Sequence, residues 1–336
     1  MMDFEIKYDL RNPAAWRKPW ADVYAHFLDQ VVWADDNGFT TVMLHEHHFS
    51  DDGYLPSPFT AAAAIAARTR RIRIRLALVL LPLKHPVQVA EDAAVLDIIS
   101  GGRLEVVVGA GYVPGEFEGY GISIKQRPSR MEEAVEIIKR CWSEDEFSHT
   151  GKHWTLRNVR VMPKPLQQPM KLLMGASSPV AARRAARIAD GFMAPNPLFV
   201  GPWREEMLAL GKDPGPAAAP GTPSPPGNFL HVARDPDAAW KAIGPHALHE
   251  SNSYATWAAS RGGGNYQAAT DPDVLRASGA YAVMTPDEVV ALGKQIDAGD
   301  PRGRLVFHPM MGGMPFALGQ ESLDLVVREV MPEFVK

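Results

Sequence analysis

The stretch Phe39-Thr-Thr-Val-Met-Leu-His-Glu-His-His-Phe49 constrains this chain more than any other. It opens as a short apolar run rich in β-formers, which predicts a buried strand over 40–44. It closes in four consecutive ionisable or imidazole side chains, His45, Glu46, His47 and His48. A strand that breaks into polar groups at its carboxyl end is how βα-barrels and doubly wound sheets build a site. Alternation along extended backbone sends His45 and His47 to one side and Glu46 and His48 to the other. One pair can then face a ligand while the other is tied into the wall behind it. The competing interpretation of the same residues is a hydrogen-bonded structural cluster without chemistry.

Further strands are predicted over 4–10, 71–81, 103–112, 170–174, 192–194, 229–233 and 304–308. Between them, apolar residues at helical spacing predict helices over 16–37, 58–70, 86–99, 129–142, 179–189, 203–210, 237–260, 286–298 and 320–330. Residues 151–161 form a polar excursion of hairpin type. Eight strands, each followed by a helix or a helix-bearing excursion, predict an α/β fold: one (β/α)8 TIM-type barrel domain over 1–336. Insertion loops are expected at about 211–227 and 261–285, the second of lid type. A doubly wound sheet accounts for the first half only.

A content of 46% hydrophobic and 22% charged residues is that of a soluble globular protein, and 336 residues suffice for a barrel. The formal net charge of -4 makes no electrostatic case for nucleic acid or an acidic membrane as partner. No run reaches the length of a membrane span, and Met-Met-Asp-Phe-Glu lacks the order of a signal peptide, so a reducing cytoplasm is the expectation. Cys141, the single cysteine, excludes disulfide frameworks and cysteine-rich metal sites; inside a helical run it reads as core filler.

In a barrel, working residues gather at the carboxyl ends of strands: here His45–His48, Leu81–His85, Gly109–Tyr112, Gly175–Ser178, Asn196 and His308. The scarcity of carboxylates among them argues against paired-acid glycoside chemistry. In Gly175-Ala176-Ser177-Ser178-Pro179, either serine can cap a helix that Pro179 opens, and free amides there suit a phosphate. Arg183 and Arg184 follow within about two turns; ordinary capping is the alternative. Gly109-Ala110-Gly111 lacks the third glycine and the acidic partner of a dinucleotide fingerprint, and marks close approach to a ligand or to a neighbouring helix. His45, His47, His85, His231 and His308 invite a metal-hydrolase interpretation, but the last strand ends without the aspartate such sites need, so no metal set is assigned. Met43, Phe49, Tyr54, Tyr112, Phe117, Phe192 and Met193 are candidates for an apolar pocket.

Several motifs in order resemble the luciferase-like flavin monooxygenases, the family of bacterial luciferase. They are residues 38–49 and 80–92, Leu96-Asp97, Ser100-Gly-Gly-Arg-Leu104, Gly109-Ala-Gly-Tyr112, Glu116-Phe117, Gly121-Ile122, Arg130-Met-Glu-Glu-Ala134, and Gly175-Ala-Ser-Ser-Pro179 through Gly191. The last third is looser, matching mainly in Thr285-Pro-Asp-Glu288 and Val330-Met-Pro332. The resemblance implies a barrel that takes reduced FMN from a separate flavin reductase. It would react that FMN with O2 through a flavin C4a-peroxide to oxidise a small organic substrate. It places the catalytic imidazole at His47 and a non-proline cis peptide at Ala77-Leu78. Glu46, Gly109, Ala110, Gly111 and Tyr112 fall around the ring system, and Gly175, Ala176, Ser177 and Ser178 around the phosphate. A homodimer is implied as well. Bacterial luciferase carries cysteine and arginine where this chain has Gly109 and Ala110, so a thiol beside the flavin is missing here. Within the superfamily the alternatives are hydride transfer with F420 and a flavin-binding relative without turnover. Neither the substrate nor light emission is implied.

Overall fold

The computed structural model describes residues 2–194, 197–214, 229–260, 267–299 and 303–334. Asn196, residues 215–227 of the first expected insertion loop and residues 261–266 of the second lie outside them. The residues group into two compact units: Met1–Pro56 with Arg68–Ile72 and Ser224–Lys336, and Ser57–Ala67 with Arg73–Pro223.

In the first unit, strand Asp3–Tyr8 lies between Thr41–Leu44 and Arg304–Phe307, parallel to both, with Ile6 level with Val42 and Phe307. All four residues of Thr41–Leu44 are buried, as parallel strands covered on both faces require. Strands Phe229–Val232 and Tyr281–Met284 form a second parallel pair. Helices Trp20–Asp36, Pro236–Ser260, Pro286–Gly299 and Phe316–Leu325 belong to the same unit. At the end of the first helix, the Asp35 carboxylate accepts from the amides of Arg70, Arg71 and Ile72 at 2.8, 2.9 and 2.6 Å.

In the second unit, strands Arg73–Leu80, Leu104–Gly109, Leu172–Gly175 and Gly191–Met193 pair in that order, all parallel. Helices Pro86–Ser100, Pro114–Gly119, Arg127–Ser143, Pro179–Ile188 and Val200–Ala209 accompany them. The polar excursion is the antiparallel hairpin Phe147–Thr150 and Thr155–Val159. Proline starts and glycine stops agree with the sequence: Pro86 opens its helix, and Gly101, at φ +67°, ends it.

The structure departs from the expected element list at several points, among them the first helix and the loop at 261–285. The first helix begins at Trp20, not residue 16, because Pro19 stands just before it and residues 14–16 make a separate 3-10 turn. The expected loop at 261–285 contains helix Pro272–Ala277, whose cap Asp271 accepts from the Asp273 amide at 2.9 Å, and strand Tyr281–Met284. Among the described residues nine strands therefore enter parallel pairings, one more than the eight expected. No helix among them is long and apolar enough to cross a membrane.

Candidate active site

The first unit carries a buried charged cluster where its strands end. Backbone bonds from Leu55 to the Asp9 carbonyl (2.8 Å) and from Asn12 to the Asp52 carbonyl (2.7 Å) lay residues 9–12 alongside 52–55. They bring Asp9, Arg11, Asp52 and Tyr54 together. Arg11 donates from Nε to Asp9 Oδ2 at 3.1 Å and from Nη1 to Asp52 Oδ2 at 2.5 Å, and its side chain is fully buried. Burial works against both carboxylates, but the charges facing them prevail. His308 and Arg11 hold Asp9 well below the usual carboxylate range, and His249 and Arg11 hold Asp52 at about 2.

Helix Pro236–Ser260 contributes Glu250, Tyr254 and Trp257, spaced i, i+4, i+7 on one face. The Arg11 guanidinium carbon lies 4.7, 5.0 and 5.2 Å from the ring centroids of Tyr54, Trp257 and Tyr254. The Tyr54 and Tyr254 hydroxyls are 3.1 Å apart. His47 is buried against the same rings. It stacks on Trp257 with centroids 4.2 Å apart and planes 26° from parallel, and meets Tyr54 edge-on at 4.9 Å. Glu46 Oε1 and His48 Nε2 are 2.8 Å apart, so this pair is tied together in the wall, as the alternation predicts. His45 is a buried neutral ring, its pKa held down at about 3 chiefly by burial, and its Nε2 has no hydrogen-bond partner among the described residues.

His308 sits between two carboxylates. Its Nε2 is 3.4 Å from Asp9 Oδ1 and its Nδ1 is 3.4 Å from Glu250 Oε2, with Tyr281 donating to Glu250 Oε1 at 3.2 Å. Burial favours the neutral ring, but Asp9 and Glu250 outweigh it and raise the His308 pKa. Asp9, Glu250 and His308 are close enough to ligate a cation, yet the carboxylates address different ring nitrogens. That arrangement suits an imidazolium paired with both carboxylates by charge, although neither ring nitrogen makes a well-aligned hydrogen bond to them. Of the five histidines weighed for a metal, only His308 belongs to this group. His231 instead stacks on Phe229, and burial holds it at about 4.

In the second unit the Ala77-Leu78 peptide is cis. The ladder between Arg73–Leu80 and Leu104–Gly109 slips between Ala77 and Val79, and the Leu78 side chain turns toward two glycines. A Cβ at Gly109 would meet Leu78 Cδ1 at 2.5 Å, and one at Gly175 would meet Leu78 Cδ2 at 2.3 Å. A side chain at either position would oblige the Leu78 side chain to move. Gly111, at φ +70°, lies against the Phe117 ring, with Ala110 and Tyr112 half-buried beside it. Ser178 is the cap of Pro179–Ile188, its Oγ accepting from the Ala181 amide at 3.3 Å; Ala176 is buried and Ser177 exposed. Arg183 pairs with Glu205 and Arg184 with Glu132, at 2.8 and 2.6 Å. Both guanidiniums thus have carboxylate partners on neighbouring helices. Cys141 is buried and its thiol is pushed up to about 11, which leaves it inert.

Sequence reasoning missed Asp9, Arg11, Asp52, Glu250, Tyr254 and Trp257. Asp9 and Arg11 follow the strand Asp3–Tyr8, whereas the expected strand over 4–10 takes Asp9 into itself. Glu250, Tyr254 and Trp257 carried a signal in their helical spacing.

The family model described as luciferase-like monooxygenase matches residues 4–294. The crystal structure of the monooxygenase RslO1 from Streptomyces bottropensis matches with a TM-score of 0.77 and 27% identity, over 99% of this chain and 100% of that one. The oxygenase component of the flavin-dependent trigonelline monooxygenase of Acinetobacter baylyi is 32% identical over 149 residues, 44% of this chain and 41% of that protein. The F420-dependent glucose-6-phosphate dehydrogenase of Microbacterium testaceum is 30% identical over 174 residues, 49% of this chain and 51% of that protein. The match spans about half the length of the curated relatives.

Proposed function

The chain belongs to the luciferase-like monooxygenase family, and on that premise we propose that it is the oxygenase component of a two-component flavin monooxygenase. It takes reduced FMN from a separate reductase and uses O2 to oxidise a small organic substrate. The proposal treats residues 1–336 as one (β/α)8 barrel domain that assembles as a homodimer. It is supported by the monooxygenase RslO1, similar over the whole chain, and by the flavin-dependent relative.

The observation that carries it is His47, a buried imidazole seated on Trp257 beside the Arg11 cluster. An imidazole can donate or accept a proton near neutral pH, which oxygen activation requires of a neighbouring group. Bound FMN would supply the electrons. The phosphate is assigned to the amides of Gly175, Ala176, Ser177 and Ser178. The small side chains there suit a phosphate, although the Ala181 amide is already taken by Ser178. Ala77, Leu78, Gly109, Ala110, Gly111 and Tyr112 are assigned to the ring system, with Glu46 held in its set by His48.

The F420-dependent relative supports a second reading, hydride transfer with F420. Anaerobic titration with photoreduced FMN and with reduced F420, followed by admission of oxygen, separates the two. The first reading expects FMN binding and oxygen consumption in the presence of a substrate, with turnover lowered about 10²-fold or more in His47→Gln. Binding of F420 alone, without oxygen uptake, moves the assignment to the second reading. Binding of neither cofactor retires both.

A further inference from the structure

We propose that Arg11 positions His47, acting through the aromatic rings packed on its guanidinium; the inference rests on the role assigned to His47 above. Arg11 is fixed first. Two of its nitrogens are held by two different carboxylates, Asp9 at 3.1 Å and Asp52 at 2.5 Å, and no part of its side chain reaches solvent. A planar fork held at two points cannot rotate, unlike a lysine ammonium in the same place. Asp52 is itself fastened by Ser50 Oγ at 2.5 Å and by His249 Nε2 at 2.8 Å, so the anchor is braced from behind.

The rings come next. Tyr54, Tyr254 and Trp257 all lie within 5.2 Å of the guanidinium carbon, where a desolvated cation attracts the faces of aromatic rings. The same three rings surround His47, with centroids 4.9, 6.2 and 4.2 Å from the imidazole. One fixed cation thus organises every ring of this set, and those rings hold the imidazole. They come from separate stretches, Tyr54 from the turn after the second strand and the other two from helix Pro236–Ser260. Arg11 gives them a common base. It is a positioning residue, since it acts on the proposed proton carrier through other groups.

The test is NMR of the full chain with 13C-labelled histidine, without cofactor. The His47 ring signals are assigned as those lost in His47→Gln. Stacking on an indole displaces ring protons upfield, so the wild-type signal is expected upfield of an exposed histidine, and Trp257→Leu should abolish the displacement. In Arg11→Met, with cooperative unfolding retained, most of the displacement is expected to be lost and the signal to broaden. A folded Arg11→Met with the wild-type His47 signal overturns the proposal. Should Arg11→Met fail to fold, Asp52→Asn weakens one of the two anchors while leaving the cation in place. A partial loss there supports the proposal, and an unchanged signal overturns it. Because no flavin is present, a displaced His47 signal combined with full oxygen consumption in His47→Gln would retire the function assigned to His47 and leave the positioning intact.

Discussion

Leu78 decides what its neighbours can be. Its methyl carbons occupy the space a side chain would need at Gly109 and Gly175. The sequence reading left the glycine at 109 open between a ligand and a neighbouring helix, and the structure puts a leucine two strand positions from the strand end against it. That contact was not legible, because it depends on the register slip between Ala77 and Val79. Gly109→Ala forces the leucine or the strand to move, and overpacking of this kind costs about 1–3 kcal/mol. Urea unfolding of the variant measures it, and an unchanged midpoint would mean that Leu78 swings aside freely. His47 was legible because polar residues following a buried apolar run are conspicuous. Arg11 was not, because its significance depends on Asp52 and Trp257, which are distant in sequence.

At the level of elements, the strands and helix ends followed from local chemistry wherever a run was long or a proline or glycine bounded it. Tyr281–Met284 falls at the end of the expected loop, and what makes it a strand is the ladder to Phe229–Val232. On Pro236–Ser260, Glu250, Tyr254 and Trp257 share one face and turn toward buried charge. Helix Pro179–Ile188 offers a direct test of the capping argument. Ser178→Ala removes the acceptor for the Ala181 amide and is expected to destabilise the chain by about 1 kcal/mol. If the serine also frames a phosphate, FMN affinity falls in the same variant. Thermal unfolding with and without FMN separates the two effects, and a loss of stability without a loss of affinity would confine Ser178 to capping.

For the molecule as a whole, buried histidines govern the response to acid. Burial holds His45 at about 3 and His231 at about 4, both below the ordinary 6.5. The unfolded chain therefore takes up protons that the folded chain refuses, and stability falls as pH drops from about 6.5 toward 4. Each histidine contributes about 1.4 kcal/mol per pH unit in that window. His308 has the opposite sign: its pKa is raised on folding, so its contribution is complete below about 6.5 and is lost as pH climbs through the folded value. Asp52 stabilises above its ordinary 3.8, and that contribution fades as pH falls toward 2. Denaturant unfolding between pH 7 and 4.5, about the span in which these histidines act, should show a shallower slope for His231→Gln than for the wild type. Identical slopes would remove His231 from the account. Over longer times, the leucine lodged between two bare backbone positions limits how such a sequence can drift. A lineage that acquires a thiol or any other side chain at 109 must turn or trim residue 78 to make room.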